Sequence, residues 1–549
     1  MTPVRVRRRP GSILWMALGV GVPLAFLAVF FALPVAGMLG RGLFADGPFI
    51  DVLLRPRTLR LIGLTLAQAA IASVVCVLVG LPIAHVLYRL RFRGRGVMRA
   101  LVIVPFVLPT VVVGVAFRTL LREGGILGFL GLDATFPAIL LALVFFNIAV
   151  VVRTVGGTWE GMDRRQEDAA RVLGASPRRV FLTITVPRLA PSIVAAASIV
   201  FLFCSTAFGV VLVLGGTRFG TIETEIWLLT TQFLDLRAAS VLSIAQLVVV
   251  TALLLVAARA RGRSTAQRRV GAVLSARAPR RGDMLPILAT AVTALLLALP
   301  IVALLLRSLQ SSEGWGLHNY IALGTTGARN ALAVTVWEAL GNSLTIAILA
   351  TIIAVFIGLL ACLALSRTPR TARGRRALEF FDGALMLPLG VSAVTVGFGF
   401  LITLNQPPLD LRSSFILVPV AQALVALPLV VRTVLPVLRG IDPRLRESAA
   451  VLGSAPWRVL RDVDLAIAAR PVLAASGLAF AVALGEFGAT TFLSRPDRPT
   501  LPVVIYRLIG LPGGDNFGMA IAAAVVLAAV TVLVIALVER LRVGTIGAF

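Results

Sequence analysis

Lysine is absent from the 549-residue sequence, so its 52 basic side chains are all arginines. A transport ATPase needs a phosphate-binding loop that ends in Gly-Lys-Ser or Gly-Lys-Thr, and this chain therefore contains no such loop. Cysteine and histidine are scarce, with three and two copies. Each cysteine lies inside an apolar run, where it behaves as a small buried hydrophobic residue. The two histidines are far apart and lack ligand-spaced partners, so no metal site is expected.

Charge is also scarce, because only 14% of the residues are charged while 58% are apolar. A soluble domain is about 25% charged and about 45–50% apolar, and a disordered chain is still less hydrophobic. The net charge of +27 does not indicate nucleic-acid binding, since the arginines occur in short groups between apolar runs rather than on one soluble domain. The composition predicts a polytopic membrane protein in contact with the lipid bilayer.

Twelve apolar runs are long enough to cross a membrane as helices, which takes roughly 20 residues each. They cover residues 12–39, 59–88, 97–121, 136–157, 189–214, 238–258, 284–306, 334–366, 378–403, 414–436, 471–493 and 517–538. The first run is longer than the about 7–15 apolar residues of a signal peptide. We therefore expect an uncleaved first span.

Arginine clusters follow the even-numbered spans, and cytoplasmic loops collect such clusters. The clusters comprise Arg89, Arg91, Arg93, Arg95 and Arg99; Arg164, Arg165, Arg171, Arg178 and Arg179; Arg259, Arg261, Arg263, Arg268 and Arg269; and Arg370, Arg373, Arg375 and Arg376. The loops on the other side mix fewer arginines with acids. This bias predicts that both termini face the cytoplasm.

The sequence repeats itself at a constant offset, which carries Val151 onto Val430 and needs no gap as far as Trp227. Matched pairs keep glycine, proline and polar positions in register: Gly161 and Gly440, Asp163 and Asp442, Gly174 and Gly453, Pro177 and Pro456, and Phe208-Gly209 and Phe487-Gly488. Upstream, with small shifts, Gly63 matches Gly341 and Gly114 matches Gly397. Chance similarity between apolar stretches would not preserve these positions, so we infer an internal duplication.

The duplication predicts an all-α integral membrane fold of 12 helices in two parallel six-helix repeats. Because each repeat has an even number of spans, both enter from the same side, and a pseudo-two-fold axis along the membrane normal relates them. The predicted boundaries are residues 1–258 for the first repeat, 259–283 for a basic cytoplasmic linker and 284–549 for the second repeat.

Each repeat carries a polar segment after its fourth span, at about residues 160–188 and 439–467. In both, an acid opens a short helix, small residues follow, a glycine six residues after the acid ends the helix, and a proline begins the next one. The residues concerned are Asp168, Ala169, Ala170, Gly174 and Pro177 in the first copy, and Glu447, Ser448, Ala449, Gly453 and Pro456 in the second. A plain connector between spans would not need the same spacing twice.

These two segments resemble the EAA loop of the membrane subunits of bacterial ATP-binding-cassette (ABC) importers. The chain departs from the family pattern at Asp168, which replaces the usual Glu, and at Ser448, which replaces the first Ala. The resemblance implies that the loops are coupling helices that dock into an ATPase. It also implies a non-catalytic permease in the bacterial cell membrane that works with two ATPase copies and an extracytoplasmic solute-binding protein. ATP and magnesium would be bound by the partner ATPase, and this chain would hold no cofactor.

Two permease repeats fused in one chain resemble the thiamine and ferric-iron importer permeases. The residues closer to the thiamine type are Leu484-Gly485-Glu486-Phe487-Gly488-Ala489, Arg498-Pro499-Thr500-Leu501-Pro502 and Tyr506. The resemblance implies alternating-access import of a small solute, thiamine or a related cation, with ferric iron as the alternative. An ion-coupled secondary transporter remains a further alternative, although it would need more intramembrane acids or histidines. Other small anions and phosphonates stay open as solutes.

Two repeated positions are candidates for the translocation path or its gate. Phe208-Gly209 and Phe487-Gly488 occupy matched places near the ends of spans five and eleven. Ordinary helix packing on small residues is the alternative interpretation. Glu486 stands beside the second pair, and an acid on an apolar span is a functional candidate because it is costly. It would either attract a cationic solute or pair with an arginine such as Arg498.

Overall fold

A computed structural model describes residues 10–44, 48–216, 218–262, 276–311, 314–367, 371–405, 410–411 and 414–542. Four arginines of the predicted clusters, Arg263, Arg268, Arg269 and Arg370, lie outside the described residues. The first helices are α1 Pro10–Leu27, α2 Leu33–Phe44, α3 Phe49–Leu53, α4 Pro56–Arg89, α5 Arg95–Val107, α6 Thr110–Leu121, α7 Phe136–Glu160, α8 Arg165–Val172, α9 Pro177–Val180, α10 Val186–Ser205, α11 Gly209–Gly215, α12 Ile222–Thr231 and α13 Leu236–Gly262.

The remaining α-helices begin after the linker. They are α14 Met284–Ser308, α15 His318–Ile321, α16 Val336–Leu365, α17 Ala372–Met386, α18 Ala393–Thr403, α19 Leu417–Gly440, α20 Pro443–Val451, α21 Pro456–Val459, α22 Ala466–Gly485, α23 Thr490–Leu493, α24 Leu501–Gly510 and α25 Gly514–Arg542. Strands β1 Gln310–Ser311 and β2 Gly314–Trp315 form one antiparallel pair. Short π-helices cover Ala28–Ala32, Phe181–Thr185 and Leu460–Leu465, and 3₁₀ turns cover Gly128–Leu130, Arg281–Asp283, Ala322–Gly324 and Leu387–Gly390.

Within the described residues, ten helices are long and apolar enough to cross a membrane, and twelve if each of two bent pairs is counted as one span. The protein is therefore a multi-pass membrane protein, in agreement with the predicted number of spans. The predictions of uninterrupted spans over 97–121 and 378–403 are wrong. The chain bends by 105° between α5 and α6, and by 96° between α18 and the helical stretch before it.

The bends have a local cause, because the residue that precedes each second arm is extended. Pro109 has φ −56° and ψ 140° before α6, and Ser392 has φ −69° and ψ 154° before α18. The Ser392 hydroxyl accepts a hydrogen bond from the Thr395 amide at 3.0 Å and so caps α18. The ends predicted for spans five and eleven, at 214 and 493, are also wrong, since the helices break after Ser205 and Gly485.

The chain divides into two compact units that are discontinuous in sequence. One unit comprises residues 46–332 and 505–528. In it α4 packs against α7 and α10, and α14 packs against α4 and α6. Its buried core is apolar, with a few polar side chains such as Gln68 and Asn147 that bond to backbone or sulfur atoms.

The other unit comprises residues 1–45, 333–504 and 529–549. In it α16 packs against α19 and α22, α1 packs against α16, and α2 packs against α18. The first helices of the chain thus pack with elements of the predicted second repeat, and α14 packs with elements of the first. The compact units therefore do not follow the linear division at residues 259–283, and the repeat boundaries stay a prediction from the sequence.

Candidate functional site

The first polar segment folds as a short helix, a turn and a second short helix. Helix α8 ends in a glycine cap in which Gly174 has φ 84°. The Gly174 amide donates to the Arg171 carbonyl and the Ala175 amide donates to the Ala170 carbonyl, both at 3.0 Å. This pair of bonds is the Schellman arrangement, which needs a positive φ. Ser176 then caps α9 by accepting a hydrogen bond from the Arg179 amide at 3.3 Å.

The second polar segment has the same local geometry. Gly453 has φ 85°, and the amides of Gly453 and Ser454 donate to the carbonyls of Ala450 and Ala449 at 3.1 and 3.0 Å. Here the carboxylate of Asp442 caps α20 by accepting from the Arg444 amide at 2.9 Å. Both segments continue into a π-helix. π-Helices are rare in proteins overall but often occur at functional sites. The predicted helix, stop and helix are confirmed in both copies. The prediction that an acid opens the helix is wrong for the second copy, because α20 begins at Pro443 and has no acid in its first turn.

The turn of each segment exposes two apolar side chains. Val172 and Leu173 are each 87% exposed, and Val451 and Leu452 are 87% and 84% exposed. The ten residues predicted for coupling lie on the same surfaces: Asp168, Ala169, Gly174, Pro177, Glu447, Ser448, Gly453 and Pro456 are exposed, and Ala170 and Ala449 are half-buried. Exposed apolar side chains rimmed by polar residues are typical of protein interaction sites. This exposed apolar pair was not predicted from the sequence, although in each copy it directly precedes the predicted glycine.

A buried acid holds the first segment in place, and this residue was also missed. Glu167 is buried although its neighbour Asp168 is exposed. Its carboxylate forms an ion pair with Arg89 at 2.6 Å and accepts a hydrogen bond from the Thr185 hydroxyl at 3.0 Å. Four residues before Arg89, His85 lies 3.2 Å from Asp283 at the start of α14. Asp283 also accepts two hydrogen bonds from the Arg277 guanidinium, at 2.6 and 2.8 Å.

The arginines around this anchor are crowded. The Arg277 amide donates to the Arg89 carbonyl at 3.1 Å, and Arg164 donates to that carbonyl at 3.3 Å. Burial and the nearby Arg277 guanidinium lower the pKa of Arg164 from its usual range. The end of the predicted linker is therefore fixed against the end of α4, next to the first segment.

Span five breaks where the sequence places Phe208 and Gly209. Helix α10 ends at Ser205, and α11 starts at Gly209 with Phe208 at its N-cap. Two amide side chains satisfy the carbonyls at this end: Gln68 Nε2 donates to the Cys204 carbonyl at 2.9 Å, and Gln246 Nε2 donates to the Ser205 carbonyl at 3.0 Å. Phe208 and Gly209 are buried.

Span eleven breaks at Glu486, which binds the turn that follows it. One carboxylate oxygen accepts from the Ala489 amide at 2.7 Å, and the other accepts from the Thr490 amide at 3.0 Å and from the Thr490 hydroxyl. Gln422 donates to that hydroxyl at 3.3 Å. Glu486 and Phe487 are buried. The guanidinium of Arg498, the arginine predicted as a partner of Glu486, lies over the ring of Phe415. The acid therefore organises the break by binding its free amides.

In each unit, the second arm of the bent pair packs closely against the segment after the break. A Cβ at Gly114 of α6 would lie 2.8 Å from the Val213 Cβ of α11. A Cβ at Gly397 of α18 would lie 2.6 Å from the Ala489 Cα and 2.9 Å from its carbonyl oxygen. The two breaks are thus packed against the bends, and in the second case the close contact is with backbone.

Comparisons with known proteins find similarity to membrane components of transport systems. Residues 74–266 match the family described as binding-protein-dependent transport system inner membrane component. The chain is 28% identical over 512 residues to a thiamine transport system permease protein of Brucella abortus, covering 89% of each protein. It is 27% identical over 456 residues to that of Escherichia coli, covering 81% of this chain and 82% of the relative. A Salmonella typhimurium protein named for 2-aminoethylphosphonate transport, PhnV, is 29% identical over 249 residues, 44% of this chain.

Proposed function

We propose that this chain, a non-catalytic permease subunit of the ABC-importer type, provides the path by which thiamine crosses the cell membrane. The observation that supports thiamine as the solute is the similarity to thiamine transport permeases over 89% of both chains. That coverage includes both polar segments and both helix breaks. The similarity to the phosphonate-transport protein covers 44% of this chain, so thiamine is the better-supported solute.

The proposed arrangement places two parallel six-span repeats about an axis along the membrane normal, with both termini and both polar segments in the cytoplasm. The positions matched at a constant offset and the arginine clusters after even-numbered spans support it. Two copies of a cytoplasmic ATPase would then dock on the two segments and bind all ATP and magnesium. A separate binding protein would deliver the solute on the opposite side.

Docking uses the exposed turns of the two segments. Val172 and Leu173 in one copy, and Val451 and Leu452 in the other, offer an apolar contact next to the glycine caps. Closure of the ATPase pair on ATP draws the segments together and rocks the attached spans as rigid bodies. Reversing a population from 1:99 to 99:1 takes roughly 5.5 kcal/mol of differential binding, which a docked ATPase pair is able to supply.

The solute path runs past the two helix breaks. Interrupted helices at matched places in two halves are the usual mark of a transporter binding site, and the residues at these breaks are Phe208, Gly209, Glu486, Phe487 and Gly488. Glu486 acts here by shaping the turn, because its carboxylate oxygens already accept hydrogen bonds from Ala489 and Thr490. Phe208 and Phe487 are the proposed gate side chains.

The experiment is solute uptake by the complete complex in proteoliposomes. The chain is purified with its ATPase and reconstituted, then supplied with binding protein and ATP. Labelled thiamine is compared with labelled 2-aminoethylphosphonate and ferric iron. We expect ATP-dependent thiamine accumulation that a proton or sodium gradient alone does not drive. Accumulation of another solute, or uptake without an ATPase, would overturn the proposal.

A further inference from the structure

Each polar segment is fixed to its own unit by a buried carboxylate between basic or polar side chains. In the first copy the carboxylate belongs to Glu167 of α8. It binds Arg89 at the end of α4 and Thr185 of the π-helix before α10. Arg89 also donates to the Trp159 and Met162 carbonyls at the end of α7, at 3.4 and 3.3 Å. One cluster therefore joins the segment to spans two, four and five.

In the second copy the carboxylate belongs to Asp464 of the π-helix before α22, and its side chain is fully buried. It forms ion pairs at 2.7 Å with Arg367, which follows α16, and with Arg446 of α20. Arg446 also donates to the Leu438 carbonyl near the end of α19, at 3.2 Å. This cluster joins the second segment to spans eight, ten and eleven, which correspond to spans two, four and five of the first copy.

The two clusters occupy matched positions but carry their charges on different residues. Glu167 matches Arg446, Thr185 matches Asp464 and Trp159 matches Leu438, each at the offset that carries Val151 onto Val430. Arg89 and Arg367 are separated by the same spacing as the upstream pair Gly63 and Gly341. The acid is thus on the short helix α8 in one copy and on the π-helix in the other, while in both copies an arginine donates to a carbonyl near the end of the fourth span.

We propose that these two ion clusters act as clamps that transmit force from the docked segments to the spans. Each copy requires a complete ion cluster, but not a particular residue at each of its positions. Arg89, Glu167, Arg367, Arg446 and Asp464 are positioning residues in this mechanism. The inference rests on the proposed importer function. The first helix of each segment is short, with eight residues in α8 and nine in α20. Removing one member of a buried pair leaves an unpaired charge that such a small element cannot tolerate.

The test transplants the second arrangement into the first copy. Glu167→Arg alone places two guanidinium groups together, and we expect uptake to fall at least about tenfold because the buried charge is uncompensated. The double variant Glu167→Arg with Thr185→Asp supplies a carboxylate at position 185, as Asp464 does in the second copy. We expect it to restore uptake to within about twofold of wild type, since a complete buried pair is again present. Thr185→Asp alone is the matched control.

The reverse transplant tests the same idea independently. Arg446→Glu alone places two acids around Arg367, and Arg446→Glu with Asp464→Thr recreates the arrangement of the first copy. For every variant, the amount of inserted protein, the amount of ATPase retained on purification and the ATP hydrolysed per solute imported are measured. If the clusters only stabilise the fold, the single variants change the amount of inserted protein but not the ATP hydrolysed per solute. If the clusters act as clamps, the single variants raise the ATP hydrolysed per solute.

The outcomes separate the two proposals. If the wild-type complex imports no thiamine with ATP, the proposed function fails. This result comes from the wild type alone and does not depend on the clamp variants. If the wild type imports thiamine, the clamp inference is overturned when Glu167→Arg keeps uptake within about twofold of wild type. It is also overturned when both double variants are no better than their single parents in inserted amount and in coupling.

Discussion

Gly174 and Gly453, which occupy matched positions of the sequence repeat, hold the same left-handed backbone conformation, with φ of 84° and 85°. Each ends a short helix and turns the chain into the next one through the same pair of hydrogen bonds. Among the residues that the structure describes, nothing lies within 4 Å of a Cβ added at either glycine. The requirement at these positions is therefore one of backbone conformation and not of space.

Replacing both glycines by valine should uncouple ATP hydrolysis from uptake. A left-handed conformation costs an L-residue about 1–2 kcal/mol, and more with a branched Cβ. We expect the turns to rearrange and ATPase retention on purification to fall, while the inserted amount stays near wild type because both turns are exposed. Asparagine at the same two positions is the control, since it tolerates positive φ. Unchanged ATP-driven thiamine uptake by the valine variant would contradict a docking role for these turns.

The exposed leucines give a second prediction. Leu173→Glu with Leu452→Glu should leave the fold of the protein intact, because both side chains are more than four-fifths exposed. It should reduce ATPase retention strongly, since an apolar contact is replaced by two charges. Co-purification of the ATPase with the tagged permease measures the effect.

Phe129→Ser is the matched control for that experiment, because Phe129 is 81% exposed but lies in the loop after α6. We expect this variant to retain the ATPase as wild type does. Equal losses in both variants would mean that general surface hydrophobicity, and not these turns, governs the assembly.

Hydropathy predicted the number of spans well but not their course. The residues on either side of each bend are apolar, so composition alone predicts one continuous run. The change of direction depends on the extended backbone at Pro109 and Ser392. Hydropathy does not reveal the break before Phe208 either, because the residues on both sides of it belong to one apolar run. Helices α1 and α14 each pack with elements of the other predicted repeat, and such long-range packing is not encoded in the local sequence pattern.

The polar segments were more predictable, because glycine, proline and capping residues act locally. Gly174, Ser176 and Pro177 predict the turn directly. Glu167 escaped notice because α8 has only eight residues, too few for periodicity to distinguish its buried face from its exposed face. Its partner Arg89 is 78 residues away, so the ion pair is visible only in three dimensions.

Close packing at the bend of α18 gives a third prediction. Gly397→Ala would place a Cβ 2.6 Å from the Ala489 Cα and 2.9 Å from its carbonyl oxygen, so backbone must move. We expect a destabilisation of about 1–3 kcal/mol from overpacking, seen as a lower thermal midpoint in detergent. Gly114→Ala should cost less, because its near neighbour is the Val213 side chain.

Gly383→Ala in α17 is the control for that series, since no atom in the described part of the chain lies within 4 Å of the added Cβ. Alanine is the better helix former, so we expect no loss of stability. A midpoint for Gly397→Ala equal to that of Gly383→Ala would show that the turn after Glu486 does not pack on α18 as described.

Glu486 gives the last prediction, which separates a role in the turn from a role in solute binding. Glu486→Gln keeps one acceptor oxygen but turns an amide group toward the remaining backbone donors at Ala489 or Thr490. A buried donor left without an acceptor costs about 1–3 kcal/mol, so we expect a lower thermal midpoint and less inserted protein. The KM for thiamine uptake should stay within about twofold of wild type, because the side chain is committed to the turn. Glu123→Gln, at an exposed acid, should change neither quantity. A large rise in KM with an unchanged midpoint would instead mean that Glu486 contacts the passing cation.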